Sequence, residues 1–229
     1  MHLFYQPDIS PIAQLSEEEA HHAFHVLRLR EGDKIGLLDG KGMRAIARIV
    51  TISKKGVSAE VEEESLTPKP MRSLQLVIAP VKNMDRFEWL VEKATEIGVA
   101  AITPVICRRS ERKDLKTERL RKLIISASKQ SQRTWFPELE EAVTMNDFLS
   151  RPLSGDGFIA HCMEGEKSGT SGLSKAENAT VLIGPEGDFD AEEVKLAVQK
   201  GFQPVSLGDT RLRTETAGLV AVTLFCVNR

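Results

Sequence analysis

The sequence predicts an α/β protein in which a small β-rich segment precedes an open, parallel α/β sheet. Three observations carry this reading. From Ser73 onward, short apolar runs rich in β-branched residues alternate with stretches of helical periodicity. Before about residue 67, turn signals separate short alternating stretches. Between them, Glu62-Glu-Glu-Ser-Leu-Thr-Pro-Lys-Pro-Met-Arg72 carries two prolines and mixed charge, as a join between units does. The predicted organisation is therefore a first domain over 1–67, a linker over 68–72 and a second domain over 73–229.

In the first domain, Ser16-Glu-Glu-Glu resembles a capping box and leads into a short helix over Ala20-His-His-Ala-Phe-His-Val-Leu-Arg. Turn residues in Glu31-Gly-Asp-Lys and Asp39-Gly-Lys-Gly42 then punctuate strands, of which Ala45 to Val50 and Val57 to Val61 alternate as half-buried strands do. In the second domain the expected strands are Leu74 to Ala79, Ala101 to Ile106, Gly157 to His161, Thr180 to Ile183 and Pro204 to Leu207. The expected helices are Asp85 to Ile97, Leu115 to Gln132, Ala191 to Lys200 and Thr214 to Val227. Such alternation argues for parallel strands with crossover helices. The polar stretch Gly165-Glu-Lys-Ser-Gly-Thr-Ser-Gly172 reads as a flexible loop.

Composition excludes several classes. With 229 residues, 41% of them hydrophobic, the chain can bury a sizeable core. Its apolar runs are far shorter than the roughly 20 residues a membrane-spanning helix needs, and Met1-His-Leu-Phe-Tyr does not read as a signal peptide, so a cytoplasmic protein with no membrane partner is expected. Cys107, Cys162 and Cys226 lack CxxC or His/Cys spacing; they are read as buried thiols, with no metal. The net charge of −2 hides an uneven distribution: between Arg108 and Arg133 ten Lys/Arg stand against three acids. That stretch suits a phosphate backbone met on one side, or a solvated helix face.

Two junctions point to chemistry. Ile183-Gly-Pro-Glu-Gly-Asp-Phe-Asp190 joins a buried strand to a helix, where ligands of α/β sheets usually sit. It lacks the spacing of a P-loop or a dinucleotide fingerprint, and acids at the following helix N-terminus would repel a phosphate. The second, Val205-Ser-Leu-Gly-Asp-Thr-Arg-Leu-Arg-Thr-Glu-Thr-Ala217, again runs from a strand through glycine into a helix, which Thr214 could cap. Either alone is a turn or a ligand loop; together they suggest a pocket for an adenine ring and ribose without phosphates.

Ile183-Gly-Pro-Glu-Gly187 followed by Leu207-Gly-Asp-Thr-Arg-Leu-Arg-Thr-Glu-Thr-Ala217 resembles the paired motifs of the SPOUT superfamily of S-adenosylmethionine-dependent RNA methyltransferases. More closely, the chain is similar to the bacterial 16S rRNA (uracil-N3) methyltransferase family. The likeness includes His22-Ala-Phe-His-Val-Leu-Arg-Leu-Arg30, Lys93-Ala-Thr-Glu-Ile-Gly98, Arg108-Arg-Ser-Glu-Arg112 and Ser128-Lys-Gln-Ser-Gln-Arg133. The resemblance implies a PUA-like N-terminal β-barrel that helps bind rRNA and a C-terminal SPOUT α/β domain with a deep trefoil knot. It also implies S-adenosylmethionine as cofactor, 16S rRNA of the small ribosomal subunit as partner, and a homodimer. Periodicity alone predicts an unknotted sheet.

Carried over by residue, the resemblance assigns the cofactor pocket to His161, Cys162, Gly184, Glu186, Gly187, Leu207, Gly208, Leu212, Arg213, Thr216 and Ala217. Methylation at N3 needs the imide proton removed and the flanking carbonyls stabilised. Arg133, Arg213 and Glu215 are the candidates for that work, with His161 a second possible base. Expected RNA contacts are His25, Arg28, Arg30, Arg109, Arg112 and Arg133, with Lys41 and Arg44 available beside them. Trp135-Phe136-Pro137 could stack on a flipped base or serve packing. Two rivals stand beside this reading: a ribose 2′-O-methyltransferase on the same fold, and an RNA-binding protein without catalysis.

Overall fold

The computed structural model describes residues 1–227; Asn228 and Arg229, the last two positions of the predicted second domain, lie outside the described residues. Its contacts divide the chain into two units. One is Met1–Lys69 together with Ile125–Phe136, and the other is Pro70–Ile124 together with the chain from Pro137 onward. The insertion of Ile125–Phe136 into the first unit departs from a single cut near residue 70, and side chains explain it. The Trp135 indole donates to the Thr67 carbonyl at 3.0 Å, and Phe136 N donates to Gly40 O at 2.9 Å. A Cβ on Gly42 would come within 2.8 Å of the Trp135 ring, so glycine permits this close approach. Trp135 and Phe136 therefore serve packing within the first unit.

The first unit is a five-stranded mixed sheet built from β1 (Leu3–Tyr5), β2 (Ile12–Gln14), β3 (Lys34–Leu38), β4 (Met43–Ser53) and β5 (Gly56–Leu66). The hydrogen-bonded order is β1-β3-β4-β5-β2, and irregularities between Ile46/Ala47 and Ile49/Thr51 curve the long β4–β5 ladder. The expected barrel is thus a curved sheet whose ladder ends at β1 and β2 among the described residues. Inward residues Phe4, Ile35, Leu37, Ala47, Ile49 and Ala59 form its core. β5 runs five residues, Glu62 to Leu66, into the stretch read as a join, and Glu62 there pairs across the sheet with Lys34 at 2.8 Å and Arg48 at 2.7 Å.

Helix α1 (Glu17–His21) is capped by Ser16, whose side chain accepts from Glu19 N. The reciprocal half of the capping box is diverted: Glu19 accepts from Tyr5 N at 3.0 Å and pairs with Lys129 at 2.6 Å. The chain continues as a π-helical turn, His22–Val26, with His21 and His25 rings 4.6 Å apart.

The second unit is a wholly parallel sheet. Its strands are β6 (Ser73–Ile78), β7 (Ala101–Ile106), β8 (Glu138–Leu139), β9 (Val143–Thr144), β10 (Asp156–Ala160), β11 (Asn178–Ile183) and β12 (Phe202–Pro204). The order runs β12-β10-β11-β6-β7-β8, with β9 also on β7. Helices α2 (Met84–Ile97), α3 (Thr117–Gln130), α5 (Ser171–Lys175) and α7 (Thr214–Val227) contribute to the core that holds Leu74, Leu76 and Ile78 of β6. Helices α4 (Met145–Ser150) and α6 (Ala191–Gln199) cover the other face, against Val77 and Leu182. The central strands are apolar on both faces because both faces are covered.

Several boundaries differ from expectation. The strand expected over Pro204 to Leu207 is Phe202–Pro204; Val205 N still donates to Ile159 O at 3.0 Å, after which the chain leaves the sheet. The polar loop after residue 165 leads into α5, and α4 with its flanking short strands went unpredicted, being too short for periodicity to register. Of the cysteines, only Cys107 is buried; Cys162 is exposed and Cys226 intermediate.

Helix α7 lies close against the sheet through Gly218, where an added Cβ would stand 2.8 Å from Ile78 Cδ1 and 3.0 Å from Leu90 Cδ1. A Gly218→Val substitution overfills this contact and is expected to cost about 1–3 kcal/mol of stability, measured as a lowered urea midpoint.

Candidate active site

Three strands of the second unit release their chains side by side: β10 into His161-Cys162, β11 into Gly184-Pro-Glu-Gly-Asp188, and β12 into Val205 to Arg213. Their carboxyl ends lie where the strand order departs from sequence order, the position at which an open parallel sheet forms a crevice. The crevice is a cavity of about 910 Å³ lined by these three loops, Arg86 from the first turn of α2, and the first turn of α7.

The two glycine-containing loops are tied together. Thr214 Oγ1, buried, donates to the Gly184 carbonyl at 3.0 Å. The expected cap role of Thr214 is replaced by this tie: Thr214 is the first helical residue, and the Arg213 carbonyl accepts from Ala217 N at 2.8 Å. Glu186 accepts from Lys82 N at 2.8 Å, which joins the GPEG loop to the segment leading into α2. Asp188 sits at φ 63°, a left-handed conformation that aspartate tolerates. Its Oδ2 accepts from Cys162 N and its Oδ1 from Phe189 N, both at 2.8 Å, so it joins the exit of β10 to that of β11. Gly208 has φ 143° with open space where a Cβ would be; glycine is needed there for backbone conformation, not for room.

The arginines after β7 hold the GPEG loop from outside. Arg108 pairs with Asp190 at 2.9 Å, Arg109 donates to Gly187 O at 3.0 Å, and Arg112 donates to Lys82 O at 3.2 Å. Further along, Arg119 pairs with Glu88 at 2.7 Å and Arg121 with Glu141 at 2.6 Å. Much of the basic excess over 108–133 is thus matched inside the fold, and most of the acids that match it come from elsewhere in the sequence.

Of the residues expected at a cofactor, His161, Cys162, Gly184, Glu186, Leu207, Gly208, Leu212, Arg213 and Ala217 line the cavity, as does Glu215. Gly187 and Thr216 do not: Gly187 packs against Arg109, and Thr216 is exposed on α7. Arg133 belongs to the first unit, half-buried, with its amide donating to Ser128 O at 2.9 Å. His25, Arg28 and Arg30 are exposed in the first unit, Arg28 at φ 52°. Arg109 is exposed and Arg112 half-buried in the second. Sequence reasoning missed Arg86, Lys167, Asp188 and Thr214 as wall residues; the acid at 188 was read only as a barrier to phosphate.

His161 Nδ1 is buried and has no hydrogen-bond partner among the described residues. Burial lowers its pKa first, the nearby Lys167 charge adds to this, and Asp188 opposes it, so the imidazole favours its neutral form.

Comparison with known proteins gives this architecture its class. Residues 67–226 match the model of an RNA methyltransferase domain, and residues 15–62 match that of an RNA methyltransferase PUA domain. The chain belongs to the ribosomal RNA small subunit methyltransferase E family. A member from Aquifex aeolicus is 33% identical over 98% of each chain, and one from Rickettsia conorii 32% identical over 93% of this chain and 88% of its own. Among solved structures, a probable rRNA-methyltransferase from Porphyromonas gingivalis superposes with TM-score 0.90 at 38% identity over the whole of both chains. A ribosomal RNA small subunit methyltransferase E from Neisseria gonorrhoeae, bound to S-adenosylmethionine, superposes with TM-score 0.86 at 31% identity over 97% of this chain and 95% of its own.

Replacing Thr214 by valine keeps the shape and leaves the Gly184 carbonyl without its donor. The expected loss is about 1–3 kcal/mol, read from the urea midpoint of Thr214→Val against wild type.

Proposed function

We propose that this protein is an S-adenosylmethionine-dependent rRNA methyltransferase that methylates N3 of a uridine in 16S rRNA of the small ribosomal subunit. The observation that carries the reading is the cavity at the exits of β10, β11 and β12, lined by both glycine-containing loops. Its family and the S-adenosylmethionine-bound neighbours from Neisseria gonorrhoeae and Legionella pneumophila support the cofactor. The lining supports it too. Glu186, Asp188, Asp209 and Glu215 stand there against Arg86, Lys167, Arg211 and Arg213, a balance that suits a ligand carrying both signs of charge, and acids in place of a phosphate-binding loop disfavour a polyphosphate. When bound, S-adenosylmethionine supplies an electrophilic methyl group.

The residues that would hold the cofactor are the main chain of Gly184 and Leu207 to Leu212, the apolar sides of Leu207, Leu212 and Ala217, and the polar atoms of His161, Cys162 and Glu186. Gly187 and Thr216 then act as supports of the loops they belong to. On the substrate side, an arginine fork answers the charge that spreads onto the two uracil carbonyls as N3 loses its proton, and Arg213 and Arg133 are assigned to it. Glu215 is assigned to the proton. His25, Arg28, Arg30, Arg109 and Arg112 are assigned to RNA; being on the surface, they meet phosphate at little desolvation cost.

A trefoil knot and a homodimer belong to the same reading. The chain leaves β12 at the sheet edge and returns in α7 against β6 and α2 near its middle, a return that supports the knotted reading. Helix α7 is almost devoid of charge yet leaves Leu219, Val220 and Leu224 half-buried, a surface suited to a second copy. A cytoplasmic location belongs to the same reading.

Mass spectrometry of nucleosides from 16S rRNA of a strain lacking the gene tests the target. Loss of 3-methyluridine, restored by the gene, is expected; loss of a 2′-O-methyl nucleoside would establish the ribose reading instead, and an unchanged profile a binding protein without catalysis. Arg133→Ala is expected to keep cofactor affinity within about threefold while turnover falls about 100-fold, the scale of one lost charged contact to a developing charge. Calorimetry with cofactor alone checks the first and single-turnover methylation the second.

A further inference from the structure

Glu215 is buried, with its side chain 9% exposed, on the wall of the cavity. Its carboxylate accepts no hydrogen bond from another described side chain or amide. The ionic partner it has is Arg86, whose Nη1 stands 3.8 Å from Oε1, beyond hydrogen-bonding distance. Neighbouring acids on the same wall are engaged by main-chain donors: Glu186 holds Lys82 N, and Asp188 holds both Cys162 N and Phe189 N. Glu215 alone among these three keeps its acceptor lone pairs turned to the cavity without a donor.

Arg86 is out of place by the same reasoning. It occupies the third position of α2, where the positive end of the helix dipole disfavours a cation. Its own side chain is 50% exposed and lines the cavity. Glu215 stands at the second position of α7, where the dipole favours an anion. The first turns of two helices thus meet on the cavity wall through an arginine on one and a carboxylate on the other, near enough to attract and too far apart to bond.

We propose that Glu215 accepts the imide proton of the target uracil and that Arg86 is the positioning residue that keeps its carboxylate aimed. The proposal rests on the N3 reading of the target. In the step, the N3–H proton passes to Glu215 as the N3 electron pair forms the bond to the methyl carbon, and the carbon–sulfur pair remains on sulfur. The charge on Glu215 is neutralised as the cationic cofactor becomes neutral, so net charge in the cavity is conserved through the transfer. Arg86 stays protonated throughout and balances the carboxylate before substrate arrives. Its 3.8 Å separation leaves room for the acceptor oxygen to turn toward the base.

The test uses full-length protein and a 16S rRNA substrate carrying either uridine or 5-fluorouridine at the target, the latter with a more acidic N3 proton. Wild type is first assayed for product: 3-methyluridine keeps the N3 reading, whereas a 2′-O-methyl product overturns that reading and this proposal with it. On uridine, Glu215→Gln is expected to lose about 100-fold or more in single-turnover rate, the usual range for a general base, with cofactor affinity unchanged within about threefold. On 5-fluorouridine the loss is expected to shrink at least tenfold, because less of the barrier depends on the base. An equal loss on both substrates, or a collapse of cofactor affinity, overturns the proton-accepting role while leaving the N3 reading intact. Arg86→Ala is expected to lower kcat at least tenfold with KM for RNA near wild type, and Arg86→Lys to restore most of it. A change confined to KM, or a lysine variant no better than alanine, removes Arg86 from the positioning role. The apo Glu215→Gln protein is expected to unfold at the wild-type urea midpoint or above; a lowered midpoint would make Glu215 a structural acid and overturn the proposal.

Discussion

The hydrogen bond from Thr214 Oγ1 to the Gly184 carbonyl is the point on which the cavity closes. It joins two loops 30 residues apart at the place where one helix begins and one strand ends. Because the donor is buried, water does not compete for it, and each loop fixes the backbone path of the other. Glu186 at Lys82 N and Asp188 at Cys162 N extend the same principle to the exits of β6 and β10. Four strand exits are thereby held by single side chains bonded to main chain, and the lining residues follow from where those exits lie.

Around this centre the arginines after β7 play a part that their charge alone does not suggest. Arg109 and Arg112 donate to carbonyls, of Gly187 and Lys82, and Arg108 pairs with Asp190 at the start of α6. These contacts are exposed and each is worth little singly. Together they span the outside of the loop whose inside lines the cavity, so one stretch of basic sequence supports the cofactor wall and still offers charge to a polyanion.

Much of this was legible in the sequence. The parallel α/β alternation, the positions of β6, β7 and β11, and both loops were readable from β-branched runs, helical spacing and glycine placement. Arg86 was not, because its partner lies 129 positions away and nothing in Asp85-Arg86-Phe87 marks it. Asp188 was misjudged as a mere repellent of phosphate, since a left-handed aspartate tying two strands leaves no local pattern. The assignment of Ile125–Phe136 to the first unit was equally hidden: it depends on Trp135 seating on Gly42, a contact between residues 93 apart. The capping box at Ser16 was half right because Glu19 found better partners in Tyr5 N and Lys129 than in its own helix.

Gly184 and Gly208 line the cavity with main chain alone, and peptide groups are not changed by point mutation. A substitution can alter the Leu207 or Leu212 side chain, but the carbonyls and amides beside them stay, and at Gly208 the backbone angle of 143° excludes nearly every replacement. A small molecule that takes its affinity from that main chain would therefore meet few escape routes in this protein. One that leaned on Arg86 or Lys167 would be evaded by a single codon change.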